Sequence, residues 1–469
     1  STRGNAPQSG FEDVLLSGPA PDGGLYMPTS WPSIEGLPAP IAADYATAAA
    51  YVLAPYAEGG FGEAELREVA SAAYRDFDLP EVAPLTEIGP NLFLLELFHG
   101  PTLAFKDLAM QVLSRLMARA LQRRGARTTI LGATSGDTGA AAVEAFRGQP
   151  NIELFILFPN NRVSEVQRKQ MTTATDANVH AIAIEGTFDD AQSIVKALFG
   201  DAEFRASHAL SAINSINWVR IAAQTVYYYA ACARLGANAR PAFSVPTGNF
   251  GDIFAGYAAS RMGLPIGKLI IATNENDILA RALATGVYEP RQVQPTDSPS
   301  MDIQISSNFE RLLFEESGRD AGYVARAMAD LKKKGSFRLP QALLSRIRER
   351  FSAHRASREE AADAMRRLHA RTGIIVDPHT AVGLAAAERE GASEGPTVVL
   401  GTAHPAKFPH AVRRALGRQA EIPARLRDRL GKPERLAILP NSPAAVADYI
   451  QKHAASETIT IGSDVRFNS

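Results

Sequence analysis

A single cysteine, Cys232, in 469 residues excludes an internal disulfide framework and a CxxC metal site. It lies in the apolar stretch Trp218–Leu235, which reads as a helix, so a buried and inert thiol is expected. An excess of charge of either sign is also missing. With 49 Lys and Arg against 50 Asp and Glu, the net charge is -1, and neither nucleic acid nor an anionic membrane is an expected partner. Pro, Gly or charge interrupts every aliphatic stretch, so none reads as a membrane span, and no signal-peptide pattern opens the chain. Tandem repeats, low-complexity tracts and a GxGxxG fingerprint are absent too. What remains is small-molecule chemistry in a cytoplasmic setting, with no metal site. The chain begins with Ser1 rather than Met, so a trimmed start is expected, and a native leader could precede it.

The length exceeds one ordinary core and suggests two or three domains. Residues 1–82 mix turn signals, such as Pro21-Asp22-Gly23-Gly24 and Pro28, with alanine-rich helical stretches at 42–53 and 63–74. They read as a mainly helical N-terminal domain. A short strand at 92–97 leads into a turn and a helix with Leu108, Val112, Leu113, Leu116, Ala120 and Leu121 at helical spacing, closed by Arg123, Arg124 and Gly125. Strands at 128–131, 152–158 and 179–184 then alternate with helices at 140–146, 164–171 and 189–199, a βα pattern that implies a parallel sheet covered on both faces. After Trp218–Leu235 a second series follows: strand 242–245, helix 253–262, strand 268–272 and a helix from Asp277. Residues 286–300 carry Pro290, Pro295 and Pro299 and read as an irregular connection. Helical patterns dominate 309–371, with Ser357 and Glu360 spaced as a capping box. A strand at 397–400 delivers Gly401-Thr402-Ala403-His404 at its carboxyl end, where open α/β sheets bind ligands. Residues 463–469 are expected to fray.

The stretch His99-Gly100-Pro101-Thr102-Leu103-Ala104-Phe105-Lys106-Asp107 puts a lone lysine at the head of a long helix. A helix N-terminus disfavours an ammonium, so Lys106 there suits a free or imine-bound amine and a carbonyl cofactor. A solvated surface lysine is the alternative. Gly132-Ala133-Thr134-Ser135-Gly136-Asp137-Thr138-Gly139 joins a strand to a helix and reads as an anion-binding turn. Its amides and the hydroxyls of Thr134, Ser135 and Thr138 suit a carboxylate better than a triphosphate, because no P-loop lysine follows; a purely structural turn is the other reading. In Pro246-Thr247-Gly248-Asn249-Phe250-Gly251-Asp252 closely spaced glycines would let amides converge on a phosphate, unless the segment is only a helix cap. Asp252 would repel a phosphate dianion and is expected to cap the helix or bind elsewhere. Asn214-Ser215-Ile216-Asn217 precede a helix with Arg220 in its first turn, where the dipole disfavours a cation unless an anion is present. This suggests a second phosphate, against the alternative of a surface arginine. The Thr402 hydroxyl at its strand end could face a ring nitrogen, with a structural threonine as the other reading; His404 has no assigned role, and Asn274, Asn276 and Ser306-Ser307-Asn308 read as caps or turns, with pocket lining the weaker alternative.

Taken in order, residues 97–107, the 134–139 turn, 215–220, 246–252 and 402–408 resemble the threonine synthase family. Ser1-Thr2-Arg3-Gly4, Asp22-Gly23-Gly24-Leu25-Tyr26 and Pro378-His379-Thr380-Ala381 resemble its N-terminal and late segments, so the likeness covers most of the chain. The resemblance implies an α/β protein of fold type II, tryptophan-synthase β-like. Two α/β domains would surround a pyridoxal-phosphate cleft: a large one from 83–107 and 213–469 and a small one from 108–212, with the N-terminal domain at 1–82. It implies conversion of O-phospho-L-homoserine and water to L-threonine and phosphate. Lys106 would be the Schiff-base residue with Phe105 beside the cofactor, Gly248, Asn249, Phe250 and Gly251 would hold its phosphate, and Thr402 would bond the ring nitrogen. Thr134, Ser135 and Thr138 would bind the substrate carboxylate, and Asn214, Ser215 and Arg220, with Asn249, the substrate phosphate. Asp137 departs from the Asn of related sulfhydrylases. A carboxylate beside the cofactor phenolate is repulsive, so Asp137 either shares a proton there or turns away. Rival readings are a serine or threonine dehydratase, which needs no substrate-phosphate site, and a binding protein without turnover. A monomer is expected over a homodimer.

Overall fold

The computed structural model describes residues 1–34, 38, 44–236 and 238–454. These form two compact units, one of Ser1–Leu113 with Asn214–Gly431, the other of Ser114–Ile213 with the segment from Lys432 onward. The expected fraying at 463–469 and the expected helical start at 42 and 43 lie outside the described residues.

The first unit holds a six-stranded sheet in the order Leu85–Gly89, Leu92–Glu96, Thr397–Gly401, Ala242–Pro246, Leu269–Thr273, Phe351–Arg355. All its pairings are parallel except the first, a hairpin turned at Asn91 with φ 54. The three central strands, sequences TVVLG, AFSVP and LIIAT, are buried along their whole length, as parallel strands covered on both faces must be. The helix Pro378–Glu390 packs across them, and Gly383 permits the close approach: a Cβ there would lie 3.2 Å from both Pro246 and Val399. Helices Trp218–Leu235 and Gly251–Arg261 pack together, the second against Ala242–Pro246 and Leu269–Thr273. The strand Phe351–Arg355 falls where helical pattern was expected. Its sequence FSAHR buries one end only, which is how an edge strand reads.

The N-terminal segment, expected as a separate domain, groups with this unit. Its helix Tyr45–Leu53 is apolar on nearly every face and cannot stand alone. It packs on Trp218–Leu235, where Trp218 also meets the rings of Trp31 and Tyr56 at 5.9 and 5.6 Å. Near the start, Arg3 makes a two-pronged bond to Glu310 (3.0 and 2.9 Å), and Thr2 Oγ1 donates to the same carboxylate at 2.7 Å.

The second unit holds a five-stranded parallel sheet in the order Ala437–Pro440, Val179–Glu185, Ile152–Pro159, Thr128–Ala133, Leu210–Ser211. Its βα alternation is the expected one. The difference is the edge: the chain comes back after residue 431 to add Ala437–Pro440 and the helix Pro443–His453, whose Val446 and Ile450 join the core of Ile182, Ile184 and Leu198. Four residues with one exposed apolar member, Ile438, give no local strand signal; pairing with Val179–Glu185 makes the strand. Among the described residues no helix is long and apolar enough to cross a membrane, and no three His, Cys, Asp or Glu side chains group as a metal site.

Candidate active site

The lysine turn is stitched to the strand end at Thr402. Phe105 N donates to Thr402 O at 2.9 Å, His404 N donates to Leu103 O at 3.0 Å, and Ala104 and Ala403 form a bridge. Leu103 takes a left-handed backbone, φ 60, with its side chain buried, a conformation that a non-glycine residue holds only where the surroundings impose it. Those surroundings are visible. Asp107 Oδ2 accepts from Thr102 N and Oδ1 from Thr102 Oγ1, both at 2.7 Å, while the buried Lys407 donates to Thr102 O at 2.7 Å. Gly100 is required here, since a Cβ would lie 2.6 Å from Asp107. Lys106 opens the helix Lys106–Arg124, is buried, and holds its Nζ 4.6 Å from the Phe105 ring centroid.

Thr402 is fixed on both sides of its peptide, because its own N–H donates to Thr380 Oγ1 at 3.0 Å. Its side-chain Oγ1 is buried with no hydrogen-bond partner among the described residues. A buried hydroxyl without a partner is costly unless a ligand completes it. His404 caps the short turn that follows: its Nδ1 accepts from Ala406 N at 3.2 Å, and burial, with His99 nearby, pushes its pKa down to about 4.

The glycine-rich turn after Ala242–Pro246 leads straight into the helix Gly251–Arg261, two residues earlier than expected. Phe250 at its N-cap is left-handed, φ 64, held by a ring buried against Phe309 and Phe351. Its side chain is thus an anchor, and only its backbone is available to a ligand. Gly248 and Gly251 are cradles without side chains. A Cβ at Gly248 would lie 2.7 Å from Ser300 O, and one at Gly251 3.3 Å from both Ser215 and Asn308. Asn308, expected as a cap or turn, ties these strands of chain together, its Nδ2 donating to Ser215 Oγ and Asn249 O, both at 3.1 Å. Arg311, which drew no attention in the sequence, stands fully buried behind it. It donates to Asn308 Oδ1 and to Ile216 O (2.6 Å), and burial pulls its pKa down to about 9. Asp252 binds elsewhere, as one expectation had it. Its Oδ1 accepts from Tyr227 and Tyr228 hydroxyls at 2.5 and 3.1 Å. Arg220, third in Trp218–Leu235, is buried, and desolvation lowers its pKa to about 10, while Asn214 and Asn249 are exposed.

In the second unit the helix Asp137–Phe146 begins inside the anion-turn motif, three residues earlier than expected. Thr134 is buried and braces the turn: its Oγ1 accepts from Gly136 N (3.0 Å) and Gly139 N (2.9 Å) and keeps its own hydrogen to donate. Ser135 and Thr138 are half-buried. Gly136, φ 142, sits against Gln167, whose Nε2 donates to Asp137 Oδ1 at 2.9 Å. That bond draws the carboxylate toward Gln167.

Residues 77–331 match the family described as pyridoxal-phosphate dependent enzyme, residues 1–74 the threonine synthase N terminus, and residues 380–450 the threonine synthase C-terminal region. Threonine synthase from Pseudomonas aeruginosa is 47% identical over 458 residues, covering 97% of this chain and 98% of the relative. The chain belongs to the threonine synthase family.

Threonine synthase from Brucella melitensis, solved with pyridoxal phosphate bound, superposes with a TM-score of 0.93 at 51% identity, covering 97% of this chain and 99% of that one. A human protein named threonine synthase-like 2 is 34% identical over 447 residues, covering 91% of this chain and 90% of the relative. The architecture is fold type II, and the cofactor is pyridoxal phosphate. The residues present fit that group: a buried lysine at a helix start, a buried hydroxyl without a partner at Thr402, and a side-chain-free cradle at Gly248 and Gly251 opening an 11-residue helix.

Proposed function

We propose that this chain converts O-phospho-L-homoserine and water to L-threonine and phosphate. The observation that carries the reading is the 2.9 Å bond from Phe105 N to Thr402 O, which ties the turn that carries Lys106 to the strand end that carries the unpartnered Thr402 hydroxyl. Lys106 would hold pyridoxal phosphate, the backbone of residues 248–251 its phosphate, and the Thr402 Oγ1 its ring nitrogen. When bound, the cofactor supplies an electron sink for charge released at the substrate α-carbon. Lys106 Nζ, released by the substrate amine, takes the α-proton, hands it on to the electron sink and, neutral again, takes a β-proton; the positive end of its helix favours the neutral amine. A neutral hydroxyl at the ring nitrogen, where a carboxylate would hold a proton firmly, weakens the sink and disfavours full transamination. Ser135, Thr138 and Thr134 take the substrate carboxylate. Arg220, with Asn214, Ser215 and Asn249, takes the substrate phosphate and stabilises the charge that develops as it leaves the γ-carbon. A buried arginine in a first helical turn favours this phosphorylated substrate over a hydroxy amino acid. Lys106 returns the β-proton to the γ-carbon, which becomes the methyl group, water adds its hydroxyl at the β-carbon, and a proton returned to the α-carbon completes L-threonine.

The test is to incubate holoenzyme with O-phospho-L-homoserine and measure threonine and phosphate. Equal yields are expected, with neither product from Lys106→Ala. Arg220→Ala should lower kcat/KM by about a hundredfold and keep the cofactor's visible absorbance. Phosphate without threonine, or unchanged kinetics in Arg220→Ala, refutes the reading. We also hold the chain to be a cytoplasmic monomer, which sedimentation at the working concentration checks for its oligomeric state.

A further inference from the structure

Asp377 carries no exposed surface and caps the helix Pro378–Glu390. Capping needs one acceptor oxygen, which Ser, Thr or Asn supplies as well. Here both carboxylate oxygens are used twice. Oδ1 accepts from His379 N (2.9 Å) and His379 Nδ1 (2.7 Å), and Oδ2 from Thr380 N (3.3 Å) and Thr380 Oγ1.

The consequence lies in the proton positions. A histidine that donates from Nδ1 to a carboxylate presents Nε2 as an acceptor, and Nε2 receives Ser300 N at 3.2 Å. A threonine that donates its only hydroxyl hydrogen to the same carboxylate has lone pairs left to accept, and Oγ1 receives Thr402 N at 3.0 Å. One buried carboxylate therefore fixes two acceptors, and each takes a backbone amide from a loop of the site. Thr402 is the residue with the unsatisfied hydroxyl, and its carbonyl in turn holds Phe105 next to Lys106. Ser300 is the residue whose carbonyl presses on Gly248, 2.7 Å from where a Cβ would stand. The His379 ring is locked by Phe408, with centroids 4.9 Å apart.

We propose that Asp377 is a positioning residue, acting through Thr380 on Thr402 and through His379 on the Ser300 turn behind Gly248. It sets the spacing between the ring-nitrogen end and the phosphate end of the cofactor site. This rests on the roles proposed above for Thr402 and Gly248. Direct loss of the Asp377 carboxylate also uncaps a helix, so the two relays are the positions to alter.

Thr380→Val keeps the shape and removes the acceptor. In the holoenzyme it should shift the visible absorbance band of the bound cofactor and lower kcat about tenfold, with KM within about twofold. Thr380→Ser should restore both. His379→Phe keeps a ring against Phe408 and frees the Ser300 turn; it should raise the Kd for pyridoxal phosphate about tenfold with the band unmoved. Wild-type band, Kd and kcat in both variants, with only the melting temperature lowered, overturn the proposal, as does Thr380→Ser impaired like Thr380→Val. Band and Kd are read without substrate. A wild type that binds the cofactor and makes no threonine therefore overturns the proposed reaction, while the shift and the Kd still decide the positioning role. A wild type with no affinity for pyridoxal phosphate overturns both.

Discussion

Replacing Asp252 by Asn should stabilise the cofactor-free protein at neutral pH and leave it unchanged in acid. Asp252 is 8% exposed, and its Oδ2 has no hydrogen-bond partner among the described residues. Burial pushes its pKa from the usual 3.8 to about 6, against the pull of the Tyr227 and Tyr228 hydroxyls and the Lys106 charge. The unfolded chain thus releases this proton near 3.8 and the folded chain near 6. Between those values the folded state holds more protons, so stability falls as pH rises and levels off above about 6. The difference between the two values corresponds to about 3 kcal/mol. Asn cannot ionise, its Oδ1 can accept the same tyrosine bonds, and the charge penalty disappears. Urea unfolding of wild type and Asp252→Asn at about pH 4 and about pH 8 should show a gain of up to about 3 kcal/mol at the higher pH only. An equal difference at both, or a loss at the higher pH, refutes the assignment of a strained buried carboxylate.

At the proposed phosphate cradle, Gly248→Ala presses a methyl on a backbone oxygen whose own residue is held by His379. Overpacking of about 2 kcal/mol would raise the Kd for pyridoxal phosphate roughly thirtyfold in a fluorescence titration, and an unaltered Kd removes the cradle from the site. Thr134→Val strips two buried amides of their acceptor and should cost about 3 kcal/mol in urea unfolding, recovered by Thr134→Ser. Full stability of the valine variant excludes the brace. Cys232, whose thiol burial pushes up to about 12, should resist aromatic disulfide reagents in the native protein and react once it is unfolded; rapid native labelling contradicts that placement.

Much of the fold was legible because its central strands are apolar runs of five to eight residues that no other element type explains. The capping box of Ser357 and Glu360 forms as spaced, since its bonds are local. Phe351–Arg355 was not legible: its side chains are half-wet, and the strand exists only beside Leu269–Thr273. In the site, Lys106, Gly248 and Thr402 stood out as unusual residues at strand ends or helix starts. Asp377 did not, because Asp before Pro at a helix start is ordinary capping chemistry, and its second role depends on Ser300 and Thr402 arriving from elsewhere in the chain. Leu103 hides for a similar reason, its left-handed backbone being imposed by tertiary bonds rather than chosen by its type.

The return of residues 437–440 to pair with Val179–Glu185 sets a timetable for synthesis. The second sheet has four of its strands once residue 211 has emerged, and the edge at Val179–Glu185 stays open until residues 437–440 have been made. Through that interval the backbone of Val179–Glu185 presents unpaired donors and acceptors to any neighbouring nascent chain. A ribosome that stops short of residue 437 therefore releases a protein with every candidate catalytic residue in place and an aggregation-prone edge uncovered.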